Sequence, residues 1–139
     1  MKNILIQKIN GSDWWHVSPR DPLAYKKRGK FLASTYLQAE FYGKPNINPE
    51  KVNIKNPIFG FSEYEILQKL FGSKGIKYLS EVNNPVKNFF KRRISLDAIM
   101  YKKAKSLKYD SIILMTKLGE KALRKGRKPN SIELNLINI

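Results

Sequence analysis

The residues that decide the fold are 14–43, which read WWHVSPRDPLAYKKRGKFLASTYLQAEFYG. A short extended segment is predicted for residues 13–18, DWWHVS, and it ends at a turn that contains Pro19 and Pro22. KFLAST then predicts a strand that gives way to a helix at Ser34 or Thr35, because either hydroxyl can accept from the first free amides of a helix. Gly43 suits the left-handed turn that ends this helix.

The strongest helix signal outside this stretch is SEYEILQKLFG, residues 62–72. Ser62 followed three positions later by Glu65 is a capping box, and Gly72 ends the segment. A further helix is predicted with Ser95 as its N-cap. Its apolar side would consist of Leu96, Ile99, Met100 and Leu107.

Strands are predicted by short runs that are β-branched or alternate between apolar and polar residues. They are NILIQKI (3–9), KVNIKNPIFGF (51–61, halted at Asn56-Pro57), the buried run SIILM (111–115) and the C-terminal SIELNLINI (131–139). This layout is α+β with strands at both termini. A chain of 139 residues fits one domain, 1–139, with one core.

Composition excludes several classes of protein. The chain holds no cysteine and one histidine, so disulfides, thiolate metal sites and histidine-rich metal centres are ruled out, and we expect no metal. No run of about 18 apolar residues is present, and MKNILIQKIN returns to polar residues too early for a signal-peptide core. We therefore expect a soluble, cytoplasmic protein.

The formal net charge of +16 is the strongest global signal. Such an excess repels itself in the folded state and is usually tolerated where an anionic partner exists, which favours DNA, RNA or a nucleic-acid-associated protein. Basic residues are densest between Lys87 and Lys128, where only Asp97, Asp110 and Glu120 oppose them. The alternative explanations are a genome-wide bias toward lysine and an ordinary solvated face.

Motifs of other enzyme classes are missing from the sequence. It contains no G-x-x-x-x-G-K-[ST] loop, no G-x-G-x-x-G turn and no G-x-S-x-G elbow, and its 11 acidic residues are scattered. A P-loop or Rossmann nucleotide site, a serine hydrolase and a carboxylate metal centre are therefore not supported.

Three features follow one another in the opening stretch: His-x-Ser at 16–18, Gly-x-Phe-x-Ala-Ser-Thr at 29–35, and Ala-x-x-Tyr-Gly at 39–43. This order resembles the ADP-ribosyltransferase superfamily of the diphtheria-toxin and poly(ADP-ribose) polymerase type, in its small phage or bacterial form. VNIKNPIF and LKYDSII are similar to later segments of that family, and the terminal strand corresponds to the one that carries its glutamate. The resemblance covers nearly the whole chain.

The resemblance implies a split β-sheet with a central cleft that binds NAD. It implies that His16 holds the nicotinamide-side ribose, while the backbone of Val17 and the hydroxyl of Ser18 hold the carboxamide. Phe31 and Tyr42 would stack on the nicotinamide ring from its two sides. Val17 stands where the family usually has glycine, and Phe31 where it has tyrosine.

The resemblance places the family's glutamate at Glu133, the only acid of the terminal strand, so His16 and Glu133 are the predicted catalytic residues. A carboxylate there would stabilise the positive charge that grows on the ribose as nicotinamide leaves. Ser131 is an alternative occupant of this position, which would put transferase activity in doubt, and Glu120 is a second alternative acid.

Two functions stay open. The first is NAD-dependent ADP-ribosyl transfer to a nucleic acid or a nucleic-acid-associated protein, as in a toxin or effector. A variant of it is the superfamily's RNA 2′-phosphotransferase branch, which uses NAD on an RNA substrate and usually has an additional N-terminal domain. The second is a non-catalytic nucleic-acid-binding module on the same fold. Without the resemblance, the ordinary interpretation is that His16 is packed at the surface, Phe31 and Tyr42 are core residues, and Glu133 faces solvent.

Overall fold

The structure is a computed structural model that describes residues 1–78 and 89–137. Its centre is a five-stranded mixed sheet in the order β1-β2-β5-β4-β3. The strands are β1 (Trp15–His16), β2 (Lys30–Ala33), β3 (Pro57–Gly60), β4 (Ser111–Met115) and β5 (Ile132–Leu136). The helices are α1 (Lys2–Asn10), α2 (Ala24–Arg28), α3 (Tyr36–Ala39), α4 (Glu63–Phe71), α5 (Phe89–Ser106) and α6 (Lys117–Arg124), with 3-10 turns at Glu40–Tyr42 and Gly72–Lys74. This mixed α/β architecture is compatible with the predicted α+β class.

Strand β5 lies in the middle of the sheet and is antiparallel to both of its neighbours. Ala33 of β2 and Leu114 of β4 stand on either side of Glu133 in the register. Strand β3 runs parallel to β4, and the chain between them passes through α4 and α5. A parallel pair requires a crossover connection of this kind, and here the crossover contains α4 and α5.

Helices cover both faces of the sheet. On the face that we call the α5 face, helices α4 and α5 pack on Ile58 and Ile112 and bury Ile66, Leu67, Leu70, Leu96, Met100, Tyr101 and Ala104. On the opposite face, the α6 face, helices α1 and α6 pack on Leu32, Leu134 and Ile113, which are in register across three strands. Burying each large apolar side chain contributes roughly 1.5–3 kcal/mol, so these two clusters hold the helices in place.

The predicted N-terminal strand over residues 3–9 is wrong, because these residues belong to helix α1. The run of apolar residues at its start fits a strand or a helix equally well. Leu5 and Ile9, however, are four residues apart and are both fully buried on the α6 face. The indole nitrogen of Trp14 donates to the carbonyl oxygen of Ile9 (2.9 Å), which satisfies an acceptor near the helix end.

Two predicted boundaries also differ from the structure. Pro57 begins β3 instead of halting the strand, since the first position of a strand does not need the N–H that proline lacks. The residues from Phe89 onward are already helical, so Ser95 lies inside α5 and is not its N-cap. Residues 89–94 contain no glycine or proline, which allows the helix to start earlier.

Of the two predicted N-caps of α3, Ser34 and Thr35, the structure uses Thr35, and the capping box predicted for α4 is confirmed. Thr35 Oγ1 accepts from the Gln38 amide at 3.1 Å. Ser62 Oγ accepts from the Glu65 amide at 3.1 Å, and the Glu65 carboxylate accepts from the Phe61 amide at 2.8 Å, which lowers the pKa of Glu65. Each of these contacts joins residues three or four positions apart, so the local sequence is enough to predict them.

Replacing Ser62 with Ala removes the acceptor for the Glu65 amide, so the free energy of unfolding is expected to fall by about 1 kcal/mol. Urea denaturation followed by circular dichroism measures this change. The matched control is Ser95→Ala, which is expected to be neutral or to stabilise by up to about 0.5 kcal/mol because Ala is the better residue inside a helix. A loss at Ser95 as large as the loss at Ser62 would contradict the placement of Ser95 within α5.

Candidate functional site

Phe31 and Glu133 lie on the same face of the sheet, on neighbouring strands. Phe31 pairs with Asn135 and Ala33 pairs with Glu133, and paired residues of antiparallel strands direct their side chains to the same side. A cavity of about 30 Å³ lies between this α5 face and helices α4 and α5. Beside Phe31 and Asn135, its lining includes the charged residues Glu63, Arg93, Asp97 and Glu133. We call it the Glu133 cleft.

Arg93 of α5 is the cation among these lining residues. Its guanidinium donates to both carboxylate oxygens of Glu63, with Nη1 2.7 Å from Oε1, and Nη2 also donates to Asp97 at 2.8 Å. The hydrogen bonds to Glu63 raise the pKa of Arg93, since they favour its charged form. Two carboxylates therefore share one guanidinium, and Glu133 makes no ion pair with the residues that the structure describes.

Burial raises the pKa of the Glu133 carboxyl, and the negative charge of Asp97 raises it further. Glu133 Oε2 accepts from the hydroxyl of Tyr42 at 3.3 Å, which partly opposes that rise. In return, the charge of Glu133 raises the pKa of Tyr42 to about 12. Burial also raises the pKa of Asp97, although Arg93 lowers it. The cleft holds more negative charge than Arg93 neutralises, which favours a ligand that carries or develops positive charge.

Tyr42 reaches Glu133 from outside the cavity. It is the last residue of the 3-10 turn Glu40–Tyr42, and its side chain is 71% exposed. The glycine that follows, Gly43, has φ 141°, so the chain turns away directly after Tyr42. The structure thus brings three of the predicted site residues together: Phe31 inside the cleft, Glu133 at its wall and Tyr42 beside Glu133.

His16 is buried next to this group but does not line the cleft. It pairs with Leu32, so the register directs its Cβ toward the opposite face from Phe31 and Glu133. Its Nδ1 lies 2.7 Å from the carbonyl oxygen of Phe31. A carbonyl oxygen can only accept, so in the neutral ring Nδ1 carries the hydrogen and Nε2 is an acceptor. His16 therefore fastens the backbone of Phe31 to β1.

The other ring nitrogen of His16 is occupied by Tyr25 of helix α2. The Tyr25 hydroxyl lies 2.9 Å from Nε2, and the two rings are tilted with their centres 5.7 Å apart. Helix α2 in turn packs against α5. The nitrogen that the resemblance assigns to a ribose hydroxyl thus accepts from a hydroxyl of the protein itself.

Val17 and Ser18, the predicted carboxamide-binding residues, also lie outside the cleft. Ser18 Oγ donates to Asn46 Oδ1 at 3.4 Å. The Asn46 amide donates to the carbonyl oxygen of His16 at 2.8 Å, so the loop around Asn46 runs along the free edge of β1. Val17 Cγ1 would stand 3.0 Å from a Cβ at Gly43, which places Val17 against the turn that follows Tyr42.

The two alternatives to Glu133 lie elsewhere. Ser131 precedes β5 with φ 55°, and its carbonyl oxygen accepts from the Thr116 amide. Glu120 belongs to α6 on the other side of the sheet, where it pairs with Arg124 at 3.7 Å. Among these three residues, Glu133 is the one that lines the cleft.

The sequence did not point to Glu63, Arg93, Asp97, Tyr25 or Asn135 as site residues. Arg93 and Asp97 are four residues apart, a spacing that predicts a helical ion pair, and that was the only available signal. Asn135 Nδ2 donates to the carbonyl oxygen of Arg28 at 2.9 Å, while its buried Oδ1 has no hydrogen-bond partner among the described residues.

Gly29, at φ 84°, allows this close contact between β5 and the end of α2. A Cβ at Gly29 would stand 2.3 Å from Asn135 Oδ1 and 2.6 Å from the carbonyl oxygen of Leu136. A side chain at this position would therefore push β2 away from β5.

The basic residues between Lys87 and Lys128 do not form one surface. Lys87 itself lies outside the described residues. The basic residues of α5 lie on the α5 face and those of α6 on the α6 face, because the two helices belong to different buried clusters. The run is continuous in sequence, but the sheet separates its two halves.

Across residues 1–78 and 89–137, no group of three or more His, Asp or Glu side chains is placed to hold a metal ion. Within the same ranges, no helix has both the length and the apolar character needed to cross a membrane. Comparison of the chain with protein-family models, curated proteins and solved structures finds no match.

The raised pKa of Glu133 predicts a dependence of stability on pH. A carboxyl whose folded pKa lies above its ordinary value of 4.5 binds its proton more tightly in the folded state. Its contribution to stability is therefore present below pH 4.5 and is lost as pH rises through the folded pKa. Glutamine cannot ionise, so the Glu133→Gln variant does not lose stability as the pH rises. It should be more stable than the wild type at pH 7, and this difference should disappear below pH 4.5.

Denaturant titrations between pH 4 and pH 8 measure this difference. Glu120→Gln is the matched control, because Glu120 makes an exposed surface pair whose loss changes stability by less than about 1 kcal/mol. A Glu133→Gln protein that is less stable than the wild type at pH 7 would mean that Glu133 makes a net stabilising contact as an anion.

Proposed function

We propose that the protein is an NAD-dependent ADP-ribosyltransferase that acts on a nucleic acid or a nucleic-acid-associated protein. The observation that carries the proposal is that Phe31 and Glu133 line one cleft, while Tyr42 contacts Glu133 from outside it. These residues come from three separate parts of the chain, and the sequence motifs assigned each of them to the same ligand. The proposal includes the split-sheet fold with a central NAD cleft; what supports this part of it is the α+β class of the five-stranded mixed sheet.

The chemistry of these groups suits the reaction. When bound, NAD would supply the ADP-ribose and lose nicotinamide. Phe31 offers an aromatic face inside the cleft, and offset stacking of two rings contributes about 0.5–1.5 kcal/mol. The ionised carboxylate of Glu133 would favour positive charge on a ribose, and its partly buried position strengthens that effect because little water screens it. His16 contributes through both ring nitrogens: Nδ1 holds the backbone of Phe31, and Nε2 is the acceptor for a ribose hydroxyl.

The cleft must open before it can hold NAD. Its volume of about 30 Å³ is that of a site for a water molecule. Ligand pockets usually have volumes of roughly 300–1,000 Å³. The exposed side chain of Tyr42 is joined to Glu133 by one hydrogen bond, which is worth about 1.5–3 kcal/mol for a charged acceptor. Tyr42 is therefore the element that moves with least cost, and stacking on the ligand would offset that cost.

A ribose hydroxyl can take the place of Tyr25 at His16. Nε2 accepts from a hydroxyl in the free protein, and a sugar hydroxyl is a donor of the same kind. Displacement therefore preserves the hydrogen bond of the histidine, while it separates the Tyr25 hydroxyl from its acceptor.

The small volume of the cleft and the large basic charge favour a second function, a non-catalytic nucleic-acid-binding module. In that case the charged groups around Glu133 are structural, and the protein binds nucleic acid without NAD. The two functions differ in one measurable property, the release of nicotinamide.

The transferase proposal predicts that the protein releases nicotinamide from labelled NAD in the presence of RNA, DNA or cell lysate. Glu133→Gln should lower the rate by at least about 100-fold, because it removes the charge that stabilises the transition state. Glu120→Gln should retain the wild-type rate. No nicotinamide release with any acceptor, together with no heat of NAD binding in a calorimeter, would favour the binding module.

A second variant tests the role of Tyr25. Tyr25→Phe removes the hydroxyl that competes for His16 Nε2, so NAD should bind about 2- to 12-fold more tightly, which corresponds to one neutral hydrogen bond. The measurement is the Kd from calorimetry, with Tyr64→Phe, an exposed tyrosine of α4, as the control. An unchanged or weaker affinity in Tyr25→Phe would contradict ribose binding at Nε2.

A further inference from the structure

Residues 117–128 carry a dense group of cations on the α6 face of the sheet. Glu120 is the one acid in these twelve residues, and it pairs with Arg124 at 3.7 Å. The other cations of the group have no acidic partner among the residues that the structure describes. We call this group of cations the α6 stripe, and the side chains of all its members are exposed. The members are Lys117, Lys121, Arg124, Lys125, Arg127 and Lys128.

Helical spacing arranges half of the stripe, Lys117, Lys121 and Arg124, along one side of α6. Lys121 follows Lys117 by four residues and Arg124 follows Lys121 by three, so each lies about one turn of 5.4 Å along the axis from the last. The other side of the helix buries Gly119 and Leu123 against the sheet. The cationic side therefore faces outward, and the apolar side is already covered.

The chain after α6 keeps the last cations next to the helix. The Lys125 amide donates to the carbonyl oxygen of Lys121, and the Arg127 amide donates to that of Ala122. Gly126, at φ 74°, allows this return of the chain. Lys8 of the neighbouring helix α1 donates to the carbonyl oxygen of Gly126 at 3.2 Å and adds a further positive charge beside the stripe.

The exposed side of α5 is less dense in charge. Its 18 residues include three exposed cations, Lys91, Lys102 and Lys105, and Lys91 is separated from Lys102 by about 16 Å along the helix. The ammonium of Lys105 lies 5.6 Å from the ring centre of Tyr101, so this cation already has an aromatic partner. Of the two basic helices, α6 concentrates its charge on the shorter length.

From this arrangement we infer that the α6 stripe binds the phosphate backbone of a nucleic acid. Cations crowded on one surface repel each other, and phosphates compensate them while they release counterions from the nucleic acid. The stripe contains no aromatic residue that could stack on a base, so binding there depends on phosphate charge and not on base sequence. Binding here does not require transferase activity, because the Glu133 cleft lies on the opposite face.

An anionic membrane is a poorer fit to the same stripe. A helix that lies on a membrane buries an apolar face in the lipid. In α6 that face is packed on the sheet through Leu123, and Leu118 is the exposed large apolar residue that remains on the helix. Charge without an exposed apolar face favours a nucleic acid as the partner.

The test compares two variants with equal losses of charge. The first replaces Lys117, Lys121, Lys125 and Lys128 with Gln, and the control replaces the exposed Lys91, Lys102, Lys105 and Lys108 with Gln. Fluorescence anisotropy with a labelled DNA duplex of mixed sequence gives Kd at a series of salt concentrations, without NAD. Circular dichroism first checks that both variants are folded.

The α6 variant should bind roughly 100-fold more weakly at 0.1 M salt. Its slope of log K against log salt should be smaller by about 3.6, since each of the four lost phosphate contacts contributes about 0.9. The control should retain at least about one third of the wild-type affinity. Equal losses in the two variants would show that only the net charge matters and would overturn the inference. The inference is also overturned if the wild-type protein does not bind the duplex. A third contrary result is loss of binding to phosphatidylserine vesicles in the α6 variant while its duplex binding is unchanged.

Discussion

The pairing of β5 with β2 on one side and β4 on the other is the constraint on which the rest of the structure depends. It inserts the last strand of the chain between two strands that are about 80 residues apart in sequence, and it joins the N-terminal and C-terminal parts in one sheet. Because side chains alternate along a strand, this register directs Leu134 to the α6 face and Glu133 and Asn135 to the α5 face. One residue of slip would exchange these faces and place a carboxylate in the apolar cluster around Leu134.

The position of Glu133 follows from this register, and its electrostatic state follows from the helices above it. The crossover between β3 and β4 brings α4 and α5 over the same face, with Glu63 on the first and Arg93 and Asp97 on the second. The Arg93 guanidinium donates its hydrogen bonds to Glu63 and Asp97. The hydrogen bond to the Glu133 carboxylate comes from the hydroxyl of Tyr42. Among the described residues, this carboxylate has one neutral hydrogen-bond donor, and its partial burial raises its pKa.

The features that the sequence predicted are mostly local. The caps at Thr35 and Ser62, the glycine that ends α4 and the strands β4 and β5 depend on contacts within a few residues, so their patterns were sufficient. Helix α1 was predicted as a strand, because its apolar run fits both periods and the packing of Leu5 and Ile9 decides between them.

Within the candidate site, the resemblance selected Phe31 and Glu133, which line the cleft, and Tyr42, which contacts Glu133 from outside it. It also selected His16, which lies beside this group, and Val17 and Ser18, which lie outside the cleft. It could not select Tyr25, because the bond from Tyr25 to His16 depends on how α2 is placed against α5. The sequence analysis did not select Arg93 either, because its partner Glu63 is 30 residues away on another helix. Long-range contacts of this kind have no counterpart in local patterns.

The central proposal is that Glu133 is a partly buried carboxylate that acts in an NAD cleft. The most direct measurement is the pKa of its carboxyl from carbon NMR, assigned with Glu133→Gln and recorded with and without NAD. The account predicts a pKa above 4.5 in the free protein and a lower pKa with saturating NAD, because the nicotinamide ring carries positive charge. An ordinary pKa that NAD does not change would contradict it.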